Sequence, residues 1–298
     1  MNLINAPIYV QWPLRLLAPV AGLMPKTIMN LRYRRWTGNN VNWKEPRNLE
    51  EYFLAEMMNA AADPERLKVY AEVADKIAVR DYVAERVGEK ALTKLYGVWW
   101  SADDVDFDKL PVPCVLKTNN GCGTNIIVRT REDFVKKDIR RRLANWLKYP
   151  YGRLSGQPHY SAIRPGILAE EYLEQNPGTD DLPIDYKFFC FNGEPQFILY
   201  YSDRKENGHV CRNRVYDTEW KAIEGACNYP LDHDVTAPEA FEEMKEMARA
   251  LSRDFKVARI DFYCIGKRPV FGEITLSPDV IMNFTPEFLK TYFDRYCR

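Results

Sequence analysis

The chain has 298 residues, with 42 lysine and arginine residues and 42 aspartate and glutamate residues, so its formal net charge is zero. This length allows a sizeable core in one large domain or in two lobes. The balanced charge excludes a global electrostatic attraction to nucleic acid. Seven cysteines without paired spacing argue against a disulfide framework and against zinc, and three scattered histidines give little support to a triad-type hydrolase. Together these features favour the reducing cytosol.

The N-terminal region is apolar but is interrupted by prolines. Four prolines lie within residues 7–29, and a basic, aromatic run follows at residues 31–36. The apolar run is shorter than the roughly 18 uncharged residues of a membrane span, and its charges lie on the wrong side for a signal peptide. Two interpretations stay open. We favour a proline-rich arm packed on the body; the alternative is peripheral contact of residues 1–36 with the inner face of the membrane.

The rest of the chain alternates predicted helices and strands. Apolar spacing predicts helices over 48–60, 64–87, 132–148 and 241–255. Asp63 precedes the second of these as a cap, and Gly88 ends it. Strands are predicted over 93–100, 114–118, 125–129, 167–173, 184–191 and 195–201, and 149–166 is predicted to be a loop. Because the strands form hairpins, as Asn192-Gly193 indicates, the pattern predicts an α+β fold rather than a doubly wound parallel sheet.

Two carboxylates near the C-terminus carry the clearest chemical signal. Residues 257–275 predict two strands joined by a tight turn, and a hairpin centred near Lys267 places Asp261 opposite Glu273 on one face. Like charges at that spacing destabilise a sheet, so a positive group is expected between them. Mg²⁺ is one candidate, because it prefers oxygen ligands and accompanies phosphates. Neutralisation of the pair by Arg259 or another base is the other.

A glycine-rich loop follows a strand that contains Lys117. Gly121 and Gly123 lie in this loop, and glycines let successive backbone N–H groups converge on an anion. The loop is not a Walker A motif, which requires Gly-Lys-Ser/Thr at the start of a helix. It therefore predicts either a phosphate-binding loop or an ordinary hairpin connection.

Two further segments combine apolar strands with charges. One strand runs into Glu170, Glu171 and Leu173, and the end of such a strand can offer backbone groups to a purine; a solvated acidic turn is the alternative. Lys187 lies within a second strand that is strongly apolar, where it needs an anionic partner. Asp185, Glu170 or a phosphate would satisfy it.

The order of these features resembles the ATP-grasp superfamily and, more narrowly, the TupA-like ATP-grasp family of teichuronopeptide and polysaccharide biosynthesis. The phrases that carry the resemblance are residues 74–83, 114–123, 169–173, 185–193, 259–263 and 271–278. The family fold implies an N-terminal arm and helical region over 1–74, a lobe with the glycine-rich loop over 75–166, and a lobe with a metal site over 167–298. The two α+β lobes would clamp ATP.

The resemblance also implies a function and a set of site residues. The function is an ATP- and Mg²⁺-dependent carboxylate-amine ligase that acts through an acyl phosphate, with Arg259 as the catalytic group. The implied ATP-binding residues are Lys117, Gly121, Gly123, Glu170, Glu171, Leu173, Asp181 and Lys187. The implied metal ligands are Asp261, Glu273 and Thr275, where Thr275 replaces the more usual asparagine. Cys122 replaces a loop serine.

The acceptor is less well defined by the sequence. Family context implies modification of a surface polysaccharide of the cell envelope, or of its lipid-linked glycan precursor. Arg204, Arg212 and Arg214 lie in a polar stretch and are candidates to bind a carboxylate or a sugar phosphate, although a solvated basic loop is an equal alternative. Two other functions stay open: an ATP-dependent kinase of a sugar or small metabolite, and a non-catalytic nucleotide-binding partner of a glycan assembly complex.

Overall fold

The computed structural model describes residues 3–6, 8–136, 138–175, 182–204, 212–231, 233–280 and 283–297. The chain forms two compact units. Unit 1 comprises Met1–Asn40, Ala60–Arg80 and Thr93–Tyr172, and unit 2 comprises Val41–Asn59, Asp81–Leu92 and Leu173–Arg298. Among the described residues, no helix combines the length and the apolar character that crossing a membrane requires.

The α-helices of the described residues follow in chain order. They are α1 (Ile8–Gly22), α2 (Pro25–Thr37), α3 (Leu49–Ala61), α4 (Pro64–Ala74), α5 (Val79–Val87), α6 (Asp133–Lys136), α7 (Ile139–Leu147), α8 (Tyr151–Ser155), α9 (Pro158–Ser161), α10 (Phe241–Ser252) and α11 (Pro286–Tyr296). The N-terminal region is thus largely helical, although two prolines lie inside α1.

The helix predicted over 64–87 is two helices. Asp63 caps its start as predicted, since its side chain accepts from the backbone N–H groups of the first turn. Asp75 then adopts an extended backbone and its carboxylate accepts from Ile77 N at 2.8 Å. An aspartate that bonds its own following backbone competes with the helix, so α4 ends there. Gly88, with a φ of 87°, follows the end of α5.

Unit 1 contains a four-stranded antiparallel sheet in the order β1-β4-β2-β3. Its strands are β1 (Leu95–Trp99), β2 (Cys114–Thr118), β3 (Asn125–Val128) and β4 (Ile167–Glu171). One face of the sheet, represented by Leu116 and Ala169, packs in a buried cluster with Leu143 and Trp146 of α7. Because side chains alternate along a strand, Lys117 and Glu170 lie on the other face.

Unit 2 contains a five-stranded antiparallel sheet in the order β7-β6-β5-β8-β9. Its strands are β5 (Asp185–Phe191), β6 (Glu194–Ser202), β7 (Arg212–Asp217), β8 (Val257–Ile265) and β9 (Arg268–Thr275). Phe189 and Phe197 stack at 4.6 Å in a buried cluster that also contains Phe53 of α3 and Phe288 of α11. The amphipathic α10 packs against the sheet through β5, β6 and β8.

The structure confirms the α+β fold class, with helices and two antiparallel sheets. Strand β7 was not predicted, because its sequence is polar. The helix predicted over 132–148 is interrupted between α6 and α7, and the loop predicted over 149–166 contains the short helices α8 and α9. The boundaries of the two compact units also differ from those of the three predicted segments. Strand β4 follows residue 166 but is hydrogen-bonded to β1 and β2, so it lies in unit 1.

Candidate functional site

The hairpin of β8 and β9 places Asp261 directly opposite Glu273, the register that the sequence predicted. Gly266 lies in the turn with a φ of 63°, a left-handed conformation that glycine adopts without strain. The side chain of Asp261 is only 3% exposed, whereas that of Glu273 is 45% exposed. Two carboxylates this close repel each other, so the hairpin requires a positive group.

Arg259 supplies that charge. Its guanidinium donates to the two oxygens of Asp261 at 2.6 and 2.7 Å and to Oε1 of Glu273 at 2.6 Å. It also donates to Oγ1 of Thr275 at 3.0 Å. Burial alone would lower the pKa of Arg259, but Asp261 and Glu273 raise it above its ordinary value. In this structure, therefore, the arginine neutralises the carboxylate pair.

Lys187 of the neighbouring strand joins the same group of charges. Its Nζ lies 2.7 Å from Oδ2 of Asp261 and 3.0 Å from Oδ2 of Asp185. Arg204 pairs with Asp185 in turn. Three acids and three bases, whose charges balance, thus form one network. We call it the unit 2 charge cluster: Asp185, Lys187, Arg204, Arg259, Asp261 and Glu273.

Tyr263 shows how strongly this cluster acts on its surroundings. The negative charge of Asp185 raises the pKa of the Tyr263 phenol well above its ordinary value, and burial raises it further. The phenol therefore stays protonated at physiological pH and can act there as a hydrogen-bond donor.

The ligand chemistry of the charge cluster fits Mg²⁺. This ion prefers oxygen ligands and is usually held by one or two carboxylates, with waters and substrate phosphates completing its shell. Asp261 and Glu273 provide two carboxylates at paired positions, and the Thr275 hydroxyl lies 2.8 Å from Glu273. Arg259 and Lys187 flank these oxygens as cations that can pair with phosphate. Within the described ranges, no three or more histidine, cysteine, aspartate or glutamate side chains group to hold a metal.

The glycine-rich loop of unit 1 is fixed at its first residue. Asn119 is fully buried; its Nδ2 donates to Asp75 at 2.8 Å and to the carbonyl of Arg164 at 3.0 Å. Its Oδ1 accepts from the backbone N–H of Gly166 at 2.7 Å. Burial raises the pKa of Asp75, although its hydrogen bonds oppose that shift. Neither Asn119 nor Asp75 was among the predicted site residues.

The tip of the loop is held by close contacts with Lys76 and with Tyr151 of α8. Lys76 Nζ donates to the carbonyl of Gly121 at 2.6 Å, and Cys122 Sγ lies 2.8 Å from the Tyr151 hydroxyl. A Cβ atom at position 121 would lie 2.9 Å from Cγ of Tyr151, so this position requires glycine. Gly123 has a φ of 73°, which favours glycine for conformational reasons. The contact of this loop with phosphate stays a prediction.

Lys117 and Glu170 form an ion pair across β2 and β4. Glu170 also accepts from Oγ1 of Thr93 at 2.9 Å and lies 3.8 Å from Nη1 of Arg80. Burial alone would raise the pKa of Glu170, but Lys117, Thr93 and Arg80 hold it below its ordinary value. The sequence predicted a phosphate contact for Lys117 and an adenine contact for Glu170; in the structure each is the other's partner.

The other predicted ATP-binding residues are in different situations. Glu171 ends β4, and its Oε1 accepts from the backbone N–H of Lys94 at 3.1 Å. Leu173 follows and is half-buried. Asp181 lies outside the described residues. Their roles stay predictions.

The three arginines proposed for substrate binding do not lie together. Arg204 belongs to the unit 2 charge cluster. Arg214 donates to Asp234 at 2.8 Å and to Glu224 at 2.6 and 3.2 Å, and Arg212 is exposed at the start of β7. The alternation of side chains along the paired strands places Arg212 and Arg214 on the face opposite to the cluster. The sheet therefore does not bring the three arginines together in a single binding site.

Comparison with known families decides the classification. The model of the TupA-like ATP-grasp family matches residues 55–296, which include the glycine-rich loop and the unit 2 charge cluster. The chain belongs to the TupA-like ATP-grasp family. The resemblance drawn from the sequence is thereby confirmed, and with it the ATP-grasp class of α+β fold.

Solved structures of ATP-grasp ligases resemble this TupA-like chain. A D-alanine–D-alanine ligase from Bacillus anthracis shares 16% identity with a TM-score of 0.45, over 74% of this chain and 62% of that one. The ligase PsnB, complexed with a precursor variant, Mg and ADP, shares 10% identity with a TM-score of 0.43, over 77% and 59% of the two chains. The TupA-like chain thus spans less than two thirds of the length of either protein. No curated protein gives a significant match.

Several residues of this TupA-like site were missed by sequence reasoning. Arg80, Asp75 and Asn119 hold Glu170 and the loop through buried polar contacts. The segment 74–83 contributed to the family resemblance, but the resemblance implied no role for the residues within this segment. A polar residue that is buried by tertiary contacts has no distinctive spacing in a sequence. Only the family phrases 74–83 and 114–123 could therefore have indicated these three residues.

Proposed function

We propose that this chain is an ATP- and Mg²⁺-dependent carboxylate-amine ligase. The observation that carries the proposal is the unit 2 charge cluster, which joins two facing carboxylates with Arg259 and Lys187 in a chain of an ATP-grasp family. Such a set of oxygen ligands and cations suits a metal-bound polyphosphate and is costly to bury without a function.

The residues of the two units have distinct roles in this proposal. Asp261 and Glu273, with Thr275 beside them, would hold Mg²⁺, which would supply charge neutralisation for the phosphates of ATP. Lys187 and Lys117 pair with phosphate oxygens, and the backbone of the loop at Gly121 and Gly123 donates to them. The proposed adenine-binding segment is 170–173, and the proposed ribose ligand is Asp181.

The chemistry proceeds in two steps. An oxygen of the substrate carboxylate attacks the γ-phosphorus of ATP, and ADP leaves as the acyl phosphate forms. The amine then attacks the acyl carbon, inorganic phosphate leaves with the electrons of its bond to that carbon, and the amine nitrogen releases one proton to solvent. Arg259 stabilises the negative charge that develops during transfer, so the protein contributes mainly positioning and charge neutralisation.

We further propose that the acceptor is a surface polysaccharide or its lipid-linked precursor, modified in the cytoplasm. This substrate class is what the resemblance to the TupA-like family implies; the family match itself gives only the ATP-grasp family. Arg204, which belongs to the unit 2 charge cluster, is a better candidate than Arg212 or Arg214 to bind the substrate carboxylate.

The first test is a product assay with Mg-ATP and a panel of uronic acids and amines, followed by mass spectrometry. We expect ADP release that requires both a carboxylate and an amine, and a product that is lighter than the two reactants by one water. A stable phosphorylated product from a single substrate would replace the ligase proposal with the kinase alternative.

The second test removes the metal ligands. We expect Asp261→Asn with Glu273→Gln to lower ADP release at least about a thousandfold, because phosphate charge is then poorly neutralised. Glu194→Gln is the matched control, since Glu194 pairs with Arg249 at the surface of the same unit and should leave turnover unchanged. Turnover that survives the double substitution would refute a catalytic role for the cluster and favour a non-catalytic partner.

A further inference from the structure

The outer surface of α1, α2 and the turn between them concentrates exposed apolar side chains. Thirteen large apolar side chains are exposed among the described residues, and eight of them lie between positions 12 and 36. We call these eight the N-terminal apolar surface: Trp12, Leu16, Leu17, Val20, Leu23, Met24, Leu31 and Trp36. Apolar patches of this kind on a folded chain mark sites of interaction.

The surface follows one side of α1. Trp12, Leu16 and Val20 are spaced four residues apart, so they form one stripe along the helix. Gln11 and Ala18, on the other side of the same helix, are buried. The apolar stripe of α1 therefore faces outward, whereas the inner side of the helix carries the buried polar residue Gln11. A surface helix usually has the reverse arrangement, with its apolar side packed inward.

The inner sides of both helices are attached to the rest of unit 1. Arg15 Nη2 donates to the carbonyl of Asn145 at 3.2 Å, and Arg32 Nη1 donates to the carbonyl of Ser155 at 3.1 Å. Met29 and Tyr33 of α2 are buried. The helices are packed as the favoured interpretation of the sequence expected, and the outward stripe is presented on a fixed support.

The charge of this segment differs from that of the whole chain. Residues 1–44 contain no aspartate or glutamate, although the chain as a whole is neutral. The same segment contains six bases: Arg15, Lys26, Arg32, Arg34, Arg35 and Lys44. Arg34 and Arg35 are exposed near the end of α2, next to the exposed Trp36. Within its own segment of the chain, the apolar surface is thus accompanied by positive charge alone.

We propose that the N-terminal apolar surface docks on an anionic lipid membrane. Leucine and valine side chains enter the boundary between headgroups and acyl chains, tryptophans lie at headgroup level, and Lys26, Arg34 and Arg35 pair with lipid phosphates. Positive charge around an outward apolar stripe complements this occupant better than it complements a second copy of the same cationic surface. The proposal does not depend on the ligase activity and would place a lipid-linked acceptor near the enzyme.

Flotation of the full chain with vesicles tests the proposal without ATP. We expect binding to vesicles with about one third phosphatidylglycerol, little binding to pure phosphatidylcholine, and release at high salt. Arg34→Gln with Arg35→Gln should weaken binding about 25-fold, since each base near an anionic surface contributes about fivefold. Leu16→Glu with Val20→Glu should abolish it. Val135→Glu, which changes an exposed apolar residue of α6 outside the surface, is the matched control.

Circular dichroism first establishes that each variant is folded. If Leu16→Glu with Val20→Glu does not fold, the arginine variant and the salt dependence decide the question. The proposal is overturned if the wild-type chain ignores anionic vesicles, or if the arginine variant binds as well as Val135→Glu. It is also overturned if the wild-type chain does not bind vesicles and sedimentation shows a dimer that the arginine variant leaves intact and that Leu16→Glu with Val20→Glu separates.

Discussion

The ion pair of Lys117 and Glu170 allows a structural role to be separated from a catalytic one. The informative changes are Lys117→Met, Glu170→Gln and the two combined. Lys117→Met removes the main partner of a side chain that is 8% exposed, so Glu170 keeps a buried charge. Breaking such a pair costs about 3–5 kcal/mol. Because Thr93 and Arg80 still contact Glu170, we expect the lower end, a loss of about 3 kcal/mol.

The other two variants should lose less stability. Glu170→Gln leaves Lys117, whose side chain is 27% exposed and can extend toward water, so the loss should be about 1–2 kcal/mol. The double variant carries neither charge and should lose only about 1 kcal/mol. The sum of the two single losses should therefore exceed the loss of the double variant by about 3–4 kcal/mol, which is the signature of direct coupling.

The sign of the pH dependence is also fixed. The pKa of Glu170 is held below its ordinary value of 4.5. The ionised Glu170 carboxylate therefore stabilises the folded chain at pH values above 4.5, and this stabilisation is lost as the pH falls through the folded-state pKa. The stability that Lys117→Met loses relative to the wild type should become smaller as the pH is lowered, because the Glu170 carboxylate, without its lysine partner, can then take up a proton.

Urea unfolding, combined with hydrogen exchange of the β2 and β4 amides, measures these changes within unit 1. Lys109→Met is the matched control, since Lys109 forms an exposed pair with Asp106 and should cause no measurable change. An unchanged midpoint for Lys117→Met, or a double variant less stable than Lys117→Met, would refute the reasoning. ATP turnover should be lost in both Lys117→Met and the double variant, since restored stability does not restore the phosphate contact.

Three further predictions concern unit 1. Burial lowers the pKa of His159 from 6.5 to about 3, so the unfolded chain binds a proton at this side chain more readily than the folded chain does. The free energy of unfolding should therefore fall by about 2 kcal/mol between pH 8 and pH 5. In urea titrations at several pH values, His159→Leu should lack this part of the pH dependence. Asn119→Ala leaves buried partners unsatisfied and should cost about 2–4 kcal/mol in the same assay, whereas no loss would show that the loop is anchored elsewhere. Gly121→Ala should lower ATP turnover at least about tenfold through its contact with Tyr151, and Tyr151→Ala should restore part of it in the double variant; no rescue would exclude that clash as the cause.

The elements that depend on local rules were well predicted from the sequence. Asp63 caps a helix because its carboxylate reaches the free N–H groups of the following turn, and the β8–β9 hairpin pairs Asp261 with Glu273 because strand alternation and a short turn fix the register. The family phrases identified the ATP-grasp class because most of them lie on sheet strands or on the loops that follow these strands, where side-chain alternation and turn geometry constrain residue type.

What the sequence by itself determined is therefore the fold class, the family and the facing positions of Asp261 and Glu273 on one hairpin. Tertiary structure alone decided which partners those residues have. Lys117 pairs with Glu170 rather than standing free, Asp75 divides a helix, and Arg259 neutralises two carboxylates. The physical reason is that burial makes an unpaired charge costly, so each charged side chain takes the nearest opposite charge that packing provides, and sequence separation gives no measure of that distance.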